Sequence, residues 1–314
     1  SKALYATITG GLQLRSPSTF IMTQKPRASK KVILSADDFG ISPGVSKGII
    51  QLAQKQRISA TSVMVVYDNW EKEAKALLNF KEQIDIGLHF VLTDAMPLSP
   101  PEKVRSLISP NNRFLKVKQL INHSYLGKVK SHDVMTEFNL QYQRFIDFFN
   151  FEPDFIDSHH NAHQYPLIRK TFIDFFFDKN FKKTPYVRNT AVSLKKLFSN
   201  KRDFLKSFFI SLPGSSFKKL AIKHCLSTNK DFGGIYDINH SKLFEEKMIC
   251  FLINIERENG IIMVHPGLPD DLLAERDQFC SGREYEYNYL ASSSFSDLLK
   301  ESEIKLTRFQ RDSI

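Results

Sequence analysis

Two adjacent carboxylates, Asp37 and Asp38, end a short apolar run near the start of the chain. Val32, Ile33 and Leu34 are branched and apolar, which is typical of a buried strand. Neighbouring side chains of an extended segment point to opposite faces, so we expect the two acids to have different environments and different pKa values. Taken alone, the pair would be interpreted as a helix cap beside an acid that faces solvent.

Three further apolar runs also end in residues that can ligate a metal or transfer a proton. These are IDIGLHF (84–90) with His89, DFIDSHHNAH (154–163) with Asp157, His159, His160 and His163, and GIIMVHPG (260–267) with His265. In parallel α/β proteins the carboxyl ends of the strands form the edge at which sites are built. The four runs together therefore predict one active site.

The residue types favour hydrolysis with a metal ion. His89, His159 and one of the two aspartates would make a set of two imidazoles and one carboxylate. Such a set with open positions suits a catalytic divalent cation, zinc first, with magnesium, manganese or iron as alternatives. A bound cation lowers the pKa of its water toward ~7 and polarises a carbonyl, as amide or ester hydrolysis requires. The second carboxylate could act as general base, and His265 could protonate a leaving amine.

The sequence gives weaker evidence for a functional role of the remaining histidines. Of the adjacent pair His159 and His160, we expect at most one to face the centre of the site, while the other supports it or packs. His163 begins a loop and could bind substrate or simply hydrogen-bond to the backbone. We assign no role to the others, which are His123, His132, His224 and His240.

From about residue 30 onward, strand and helix patterns alternate. Besides the four runs above, the predicted strands are 61–67, 184–190 with Arg188 near its carboxyl end, and 304–309. The predicted helices are 45–56, 70–80, 133–150, 167–179, 243–256 and 283–299. The alternation predicts an α/β fold, a distorted or incomplete (β/α) barrel that forms one catalytic domain over residues 30–314. Residues 1–29 lack a clear period and are predicted to be an N-terminal tail.

Two segments interrupt this alternation. Residues 92–116 are rich in proline and polar residues, and loops of this length are often functional lids. Residues 191–230 are rich in lysine and phenylalanine and look like an insertion or cap. A basic patch for an anionic partner could lie in that insertion, but a solvated pair of helices is the interpretation we favour.

Composition narrows the class of protein without selecting a function. The 314 residues are 42% hydrophobic and 25% charged, with a formal net charge of +10, which fits a soluble globular protein. Three widely spaced cysteines, Cys225, Cys250 and Cys280, form no CxxC pair and favour a reducing, cytoplasmic location. No apolar run approaches the length of a membrane span. We therefore expect neither a membrane nor a nucleic-acid partner, and a homodimer is compatible with the sequence.

Four motifs in order resemble the YdjC-like family of carbohydrate deacetylases: SADDFGIS, GLHFVLT, FEPDFIDSHHNAHQYP and VHPG. The resemblance covers roughly residues 31–311. It implies a distorted (β/α) barrel of the polysaccharide-deacetylase type with a divalent metal, magnesium or zinc. It also implies a hydrolase that removes an acetyl group from an N-acetylated sugar such as a chitooligosaccharide.

The resemblance also implies roles for individual residues. By position, Asp37 is similar to the catalytic base, His265 to the catalytic acid, and Arg188 to a residue that orients the base. The implied metal ligands are Asp38, His89 and His159. The chain departs from the family at Asn161, where members commonly have a third histidine, and in the longer and more basic segment 191–230. The sugar is therefore not carried over from the family.

Two other classes of function remain open on the sequence. A metal-dependent phosphoesterase could use the same ligands, and it would release phosphate from model esters but no acetate from chitooligosaccharides. A catalytically idle carbohydrate- or anion-binding protein on the same scaffold would use segment 191–230 and would show steep salt-dependent association. The intact set of acids and histidines argues against the idle protein.

Overall fold

The computed structural model describes residues 29–68, 70–193, 196–197 and 203–311. In these ranges the chain forms eight strands: β1 (Lys30–Phe39), β2 (Ala60–Val63), β3 (Asp85–Phe90), β4 (Phe155–Ser158), β5 (Tyr186–Val187), β6 (Phe232–Gly233), β7 (Ile261–Val264) and β8 (Ile304–Leu306). The strands pair in the order β5-β4-β3-β2-β1-β7-β6, and β8 pairs with the first residues of β1. Every strand pair is parallel.

Helices connect and cover these strands. The α-helices are α1 (Pro43–Gln54), α2 (Trp70–Ala74), α3 (Val117–Tyr125), α4 (Ser131–Phe149), α5 (Ile168–Asp178), α6 (Phe204–Lys223), α7 (Phe244–Asn254), α8 (Asp271–Arg276), α9 (Cys280–Ala291) and α10 (Ser293–Glu301). Short 3₁₀ helices lie at Lys75–Phe80, Pro101–Lys103, Arg105–Leu107, His159–Gln164 and Ile238–Leu243. None of the described helices is long and apolar enough to cross a membrane.

The two edges of the parallel sheet are joined by an irregular contact. Val187 of β5 forms a parallel bridge with Thr228, and the amides of Asn189 and Asn229 hydrogen-bond to each other's backbone. Because residue 229 leads into β6, this contact closes the row of strands into a ring. The predicted distorted (β/α) barrel is confirmed.

Alternation along the strands separates the barrel interior from the helix-covered exterior. One buried cluster inside the ring includes Ile33, Phe155 and Tyr186, whereas the alternate residues of β1 pack in the main core with the helices. Phe309 stacks on Tyr186 with ring centroids 4.0 Å apart, and its N–H donates to Asp85 over 2.7 Å. The segment after β8 thus fills the amino-terminal end of the barrel, which leaves the carboxyl-terminal end for the site.

The aromatic stripe of α4 forms core, as its helical spacing predicts. Phe138 stacks between Phe90 of β3 and Phe175 of α5, with ring centroids 4.4 and 3.9 Å away. Phe145 and Phe149 are also buried. Such stacked pairs add to the free energy of burying the rings, so α4 is held firmly against the outside of β3.

The same helix anchors the irregular segment 92–116. The Glu137 carboxylate accepts the backbone N–H groups of Leu98 and Ser99 over 3.0 and 2.9 Å. Asp133 accepts the N–H of Ser106 over 2.9 Å. Both acids are buried, so their hydrogen bonds fix the segment to the barrel wall.

Several predicted boundaries differ from the observed ones. The strand predicted at 61–67 ends at residue 63, and the helix predicted at 283–299 is two helices separated at Ser292, whose hydroxyl caps the N–H of Phe295. Strand β6 was not predicted, because two residues carry too little periodicity to be recognised. The predicted tail, residues 1–29, lies outside the described residues except for Ser29.

Candidate active site and metal centre

The two aspartates at the end of β1 have separate environments, as expected. Asp37 faces Arg188, which donates from Nη1 and Nη2 to the two carboxylate oxygens over 2.7 Å each. Asp38 has a φ of +67°, a left-handed conformation that is uncommon outside glycine. Asp38 does not cap α1, because Ser42 does so by accepting the N–H of Val45 over 3.3 Å.

A chain of buried charges holds Asp37 ionised. Burial alone would raise the pKa of this carboxyl, but the Arg188 guanidinium outweighs burial and holds the pKa below its ordinary value. Arg188 also lies 3.0 Å from Asp157 Oδ2. One guanidinium therefore neutralises two buried carboxylates, one at the carboxyl end of β1 and one at the carboxyl end of β4.

Asp38, His89 and His159 come together at the centre of the carboxyl-terminal edge. Asp38 Oδ1 lies 3.1 Å from His89 Nε2 and 3.0 Å from His159 Nδ1. One ligand atom from each of the three residues falls within 4.8 Å of the others. The other oxygen of Asp38 accepts a hydrogen bond from Arg283 Nη2 over 2.6 Å, and this cation together with His159 keeps the Asp38 pKa well below its ordinary value despite burial.

Asp157 sets the orientation of the His89 ring. His89 Nδ1–H donates to Asp157 Oδ1 over 2.6 Å, and Ser62 Oγ lies 2.9 Å from the same nitrogen. Burial lowers the pKa of His89, but the Asp157 carboxylate more than compensates and raises it to about 10. A carboxylate behind the ring is the usual support for a metal-ligating histidine, because it leaves Nε2 free to face the ion.

This donor set fits a divalent cation. Two imidazoles and a carboxylate are the ligand types of catalytic zinc and of other first-row ions. A cation would replace the proton on His89 Nε2, since a ligating imidazole must be neutral there. A second group of potential ligands, formed by Asp37, His89 and Asp157, fits less well because both of its carboxylates already pair with Arg188.

His265 follows β7 in register with Ile261 and Met263, which point into the barrel. Burial lowers the pKa of its imidazole, while the carboxylates of Asp38 and Asp37 oppose that shift. Its backbone N–H donates to Glu286 over 2.5 Å. Glu286 of α9 also accepts the hydroxyl of Tyr236 over 2.5 Å, so His265 enters the site from the side opposite β3 and β4 on a fixed backbone.

The three histidines around β4 have different roles in the structure. His159 belongs to the cluster of potential metal ligands. His160 packs against it at a tilt of 37°, with ring centroids 3.8 Å apart, while Thr93 Oγ1 lies 2.9 Å from His160 Nδ1. His163 is buried, and its Nε2–H donates to the Arg188 carbonyl over 2.8 Å. Burial lowers the pKa of His163 to about 3, so this ring is a neutral support for the backbone of Arg188.

Sequence reasoning placed Asp157 at the end of its strand without a separate role, and it missed Arg283 and Glu286, which also contact the site. Asp157 has a usable signal, because it lies two residues before His159 at the end of an apolar run. Arg283 and Glu286 lie in a helix that was predicted without any site residue, and nothing local distinguishes them. Asn161 has a φ of +54°, a conformation that asparagine tolerates better than most residues.

Comparison with known proteins finds a matching family model and relatives that are named deacetylases. A family model described as "YdjC-like protein" matches residues 31–301. A carbohydrate deacetylase of Thermoanaerobacter pseudethanolicus (strain ATCC 33223 / 39E) is 26% identical over 282 residues, which covers 89% of this chain and 98% of the relative. A chitooligosaccharide deacetylase of Enterobacter sp. (strain 638) is 36% identical over 140 residues, 44% of this chain and 52% of that protein.

A solved structure shares the fold. It is the crystal structure of a candidate cellobiose-phosphate cleavage protein from Enterococcus faecalis V583. The match has a TM-score of 0.69 and 22% sequence identity, and it covers 89% of this chain and 97% of that one. At this level of identity the likeness concerns the fold alone.

Proposed function

The chain belongs to the YdjC-like family, and we propose that it is a hydrolase that removes N-acetyl groups from a carbohydrate with the help of a divalent metal ion. The observation that carries this proposal is the pairing of an ionised, buried base with a separate set of metal ligands. Arg188 holds the Asp37 carboxylate through two hydrogen bonds. The adjacent Asp38 carboxylate instead contacts the imidazoles of His89 and His159. Relatives named carbohydrate deacetylase and chitooligosaccharide deacetylase support the class of substrate.

Asp38, His89 and His159 are the residues that would hold the ion. A divalent cation bound there, magnesium or zinc, would polarise the acetamide carbonyl and lower the pKa of a water molecule. The surrounding residues support this assignment because Asp157 fixes the tautomer of His89 and Arg283 holds the second oxygen of Asp38.

Asp37 is the proposed general base. Its lowered pKa keeps the carboxylate ionised at neutral pH, so it can accept a proton from the attacking water. The two hydrogen bonds from Arg188 fix both oxygens, which removes the orientational freedom that a flexible base would have to lose during the reaction. Arg188 thus positions Asp37 and need not contact the substrate.

His265 is the proposed general acid. It faces the carboxylates from β7, on the other side of Asp38 from the imidazoles of β3 and β4. A lowered pKa makes the imidazolium form a stronger acid, which suits donation of a proton to the departing amine. The backbone contact with Glu286 holds the residue in place.

Acetate release from a panel of N-acetylated sugars tests the proposal. Protein is stripped of metal and then supplied with zinc or magnesium, and we expect activity to return with the ion. The variant Asp37→Asn should bind metal as the wild type does but lose turnover, because an amide cannot accept the proton. Asp178→Asn, which changes an exposed acid on α5, is the matched control and should keep full activity.

Two results would contradict this assignment. Unchanged acetate release in Asp37→Asn would remove Asp37 from the role of base. Phosphate release from model esters, without acetate release from any sugar in the panel, would instead indicate a metal-dependent phosphoesterase that uses the same ligands.

A further inference from the structure

One face of helix α6 presents apolar side chains to solvent. Leu205, Phe209 and Leu212 are spaced at i, i+4 and i+7, so they share one face of the helix. Their exposed fractions are 68%, 67% and 54%. Large apolar side chains at this spacing are normally buried, and a continuous exposed row of them marks an interaction surface.

The same face becomes basic toward the end of the helix. Lys219 and Lys223 follow Leu205 at i+14 and i+18, which returns to the same side of the helix, and both are exposed. Helix α6 contains four lysines and no acidic residue. Segment 191–230 contains nine lysines and arginines against one aspartate, so it carries most of the net charge of +10.

The opposite face of α6 rests on the catalytic edge of the barrel. A side chain at Gly214 would overlap Thr190, which lies two residues after Arg188. Phe217 packs edge-on against the ring of His163, with centroids 4.9 Å apart. Helix α6 is therefore fixed beside the active site, and its apolar and basic face is directed away from the barrel.

We propose that this face of α6, formed by Leu205, Phe209, Leu212, Lys219 and Lys223, binds the surface of an anionic lipid membrane. Helices that lie on membranes combine a row of large apolar residues, which enter the acyl boundary, with lysines that contact anionic headgroups. Nucleic acid would engage the lysines but would leave the apolar row in water. The lysines supply the charge complementarity that selects an anionic surface rather than a neutral one.

The contact is peripheral and involves no spanning segment, but it departs from the expectation that the protein has no membrane partner. It would place the open, carboxyl-terminal edge of the barrel close to the bilayer. The proposal rests on the exposed face of α6 and not on the deacetylase activity, so either can fail without the other.

Vesicle sedimentation with the full chain tests this proposal. Sucrose-loaded vesicles of phosphatidylcholine alone are compared with vesicles that also contain phosphatidylglycerol. We expect the wild type to sediment with the anionic vesicles and to be released by salt. Lys219→Glu/Lys223→Glu should weaken binding at least about tenfold, since each lysine near an anionic surface contributes roughly a fivefold factor. Leu205→Ser/Phe209→Ser should also weaken binding at unchanged charge.

Two matched controls separate the α6 face from general surface properties. Ile253→Ser removes an equally exposed apolar side chain, 68% exposed, near the amino-terminal edge of the barrel. Lys72→Glu/Lys75→Glu reverses two exposed lysines that precede β3. Both should bind vesicles as the wild type does, and fluorescence of the single tryptophan, Trp70, verifies that each variant is folded.

Three outcomes would overturn the proposal. The first is equal sedimentation of the wild type with neutral and anionic vesicles, or with neither. The second is full vesicle binding by Leu205→Ser/Phe209→Ser, which would reduce the interaction to non-specific charge. The third is a wild-type dimer that does not bind vesicles and that dissociates when Leu205→Ser/Phe209→Ser is introduced. That result would assign the apolar row to contact with a second copy of the chain.

Discussion

Replacing Arg188 with methionine should destabilise the protein strongly at neutral pH and progressively less as the pH falls. Methionine fills a similar volume but leaves the buried carboxylates of Asp37 and Asp157 without the guanidinium that lies 2.7 and 3.0 Å from them. Breaking a buried ion pair by removing one partner costs about 3–5 kcal/mol of unfolding free energy. Asp157 keeps its hydrogen bond from His89, so the cost falls mainly on Asp37 and we expect a loss within that range.

The pH dependence follows from the pKa of Asp37. In the wild type this pKa is held below its ordinary value, so the pair stabilises the protein above about pH 4 and loses its effect as the pH falls through the folded-state pKa. In Arg188→Met the effect of burial is opposed only by His89 and His265, so the pKa of Asp37 rises relative to the wild type. As this carboxyl takes up a proton, the variant loses its uncompensated buried charge. The difference in unfolding free energy between the variant and the wild type therefore becomes smaller at acidic pH.

Urea unfolding followed by the fluorescence of the buried Trp70 measures the difference. The double variant Asp37→Asn/Arg188→Met serves as the internal test, because an uncharged amide removes one orphaned charge. It should recover about 0.5–3 kcal/mol relative to Arg188→Met alone, the range of coupling for residues in direct contact. Equal stability of Arg188→Met and wild type at pH 7, or a gap that widens in acid, would refute the reasoning.

Two further predictions concern the residues behind the site. Asp157→Asn should weaken binding of a divalent metal about 10- to 100-fold, because the amide no longer secures the His89 tautomer. Isothermal titration calorimetry with zinc measures this affinity. A zinc affinity equal to that of Asp178→Asn would contradict the prediction. Burial raises the pKa of Glu286 to about 7, so the stability that this group contributes is complete below its unfolded pKa and is lost as the pH rises through about 7. The shift corresponds to roughly 3 kcal/mol, and Glu286→Gln should therefore lose less stability than the wild type between pH 5 and 8 in urea titrations. Parallel profiles for the two proteins would show that Glu286 does not titrate in this way.

The sequence by itself determined where the strands end and which side chains lie at those ends. A strand repeats every two residues, so the short run before Asp37 suffices to indicate that Asp37 and Asp38 point in different directions. The runs before His89, His159 and His265 likewise place each imidazole at a carboxyl end, and the parallel topology brings these ends to one edge. The aromatic residues of α4 recur at helical spacing, so neighbouring residues likewise suffice to indicate that they form core.

Only the tertiary structure decided which groups surround those side chains. Arg283 reaches Asp38 across 245 positions of the chain, and Glu286 meets the backbone of His265, because α9 packs against α1 and α7 beside the carboxyl-terminal edge of the barrel. The outward face of α6 is equally invisible in the sequence, where Leu205 and Phe209 look like core residues. Local periodicity depends on a few neighbouring residues, whereas these contacts depend on where entire helices pack, and that packing is the sum of many weak interactions spread over the chain.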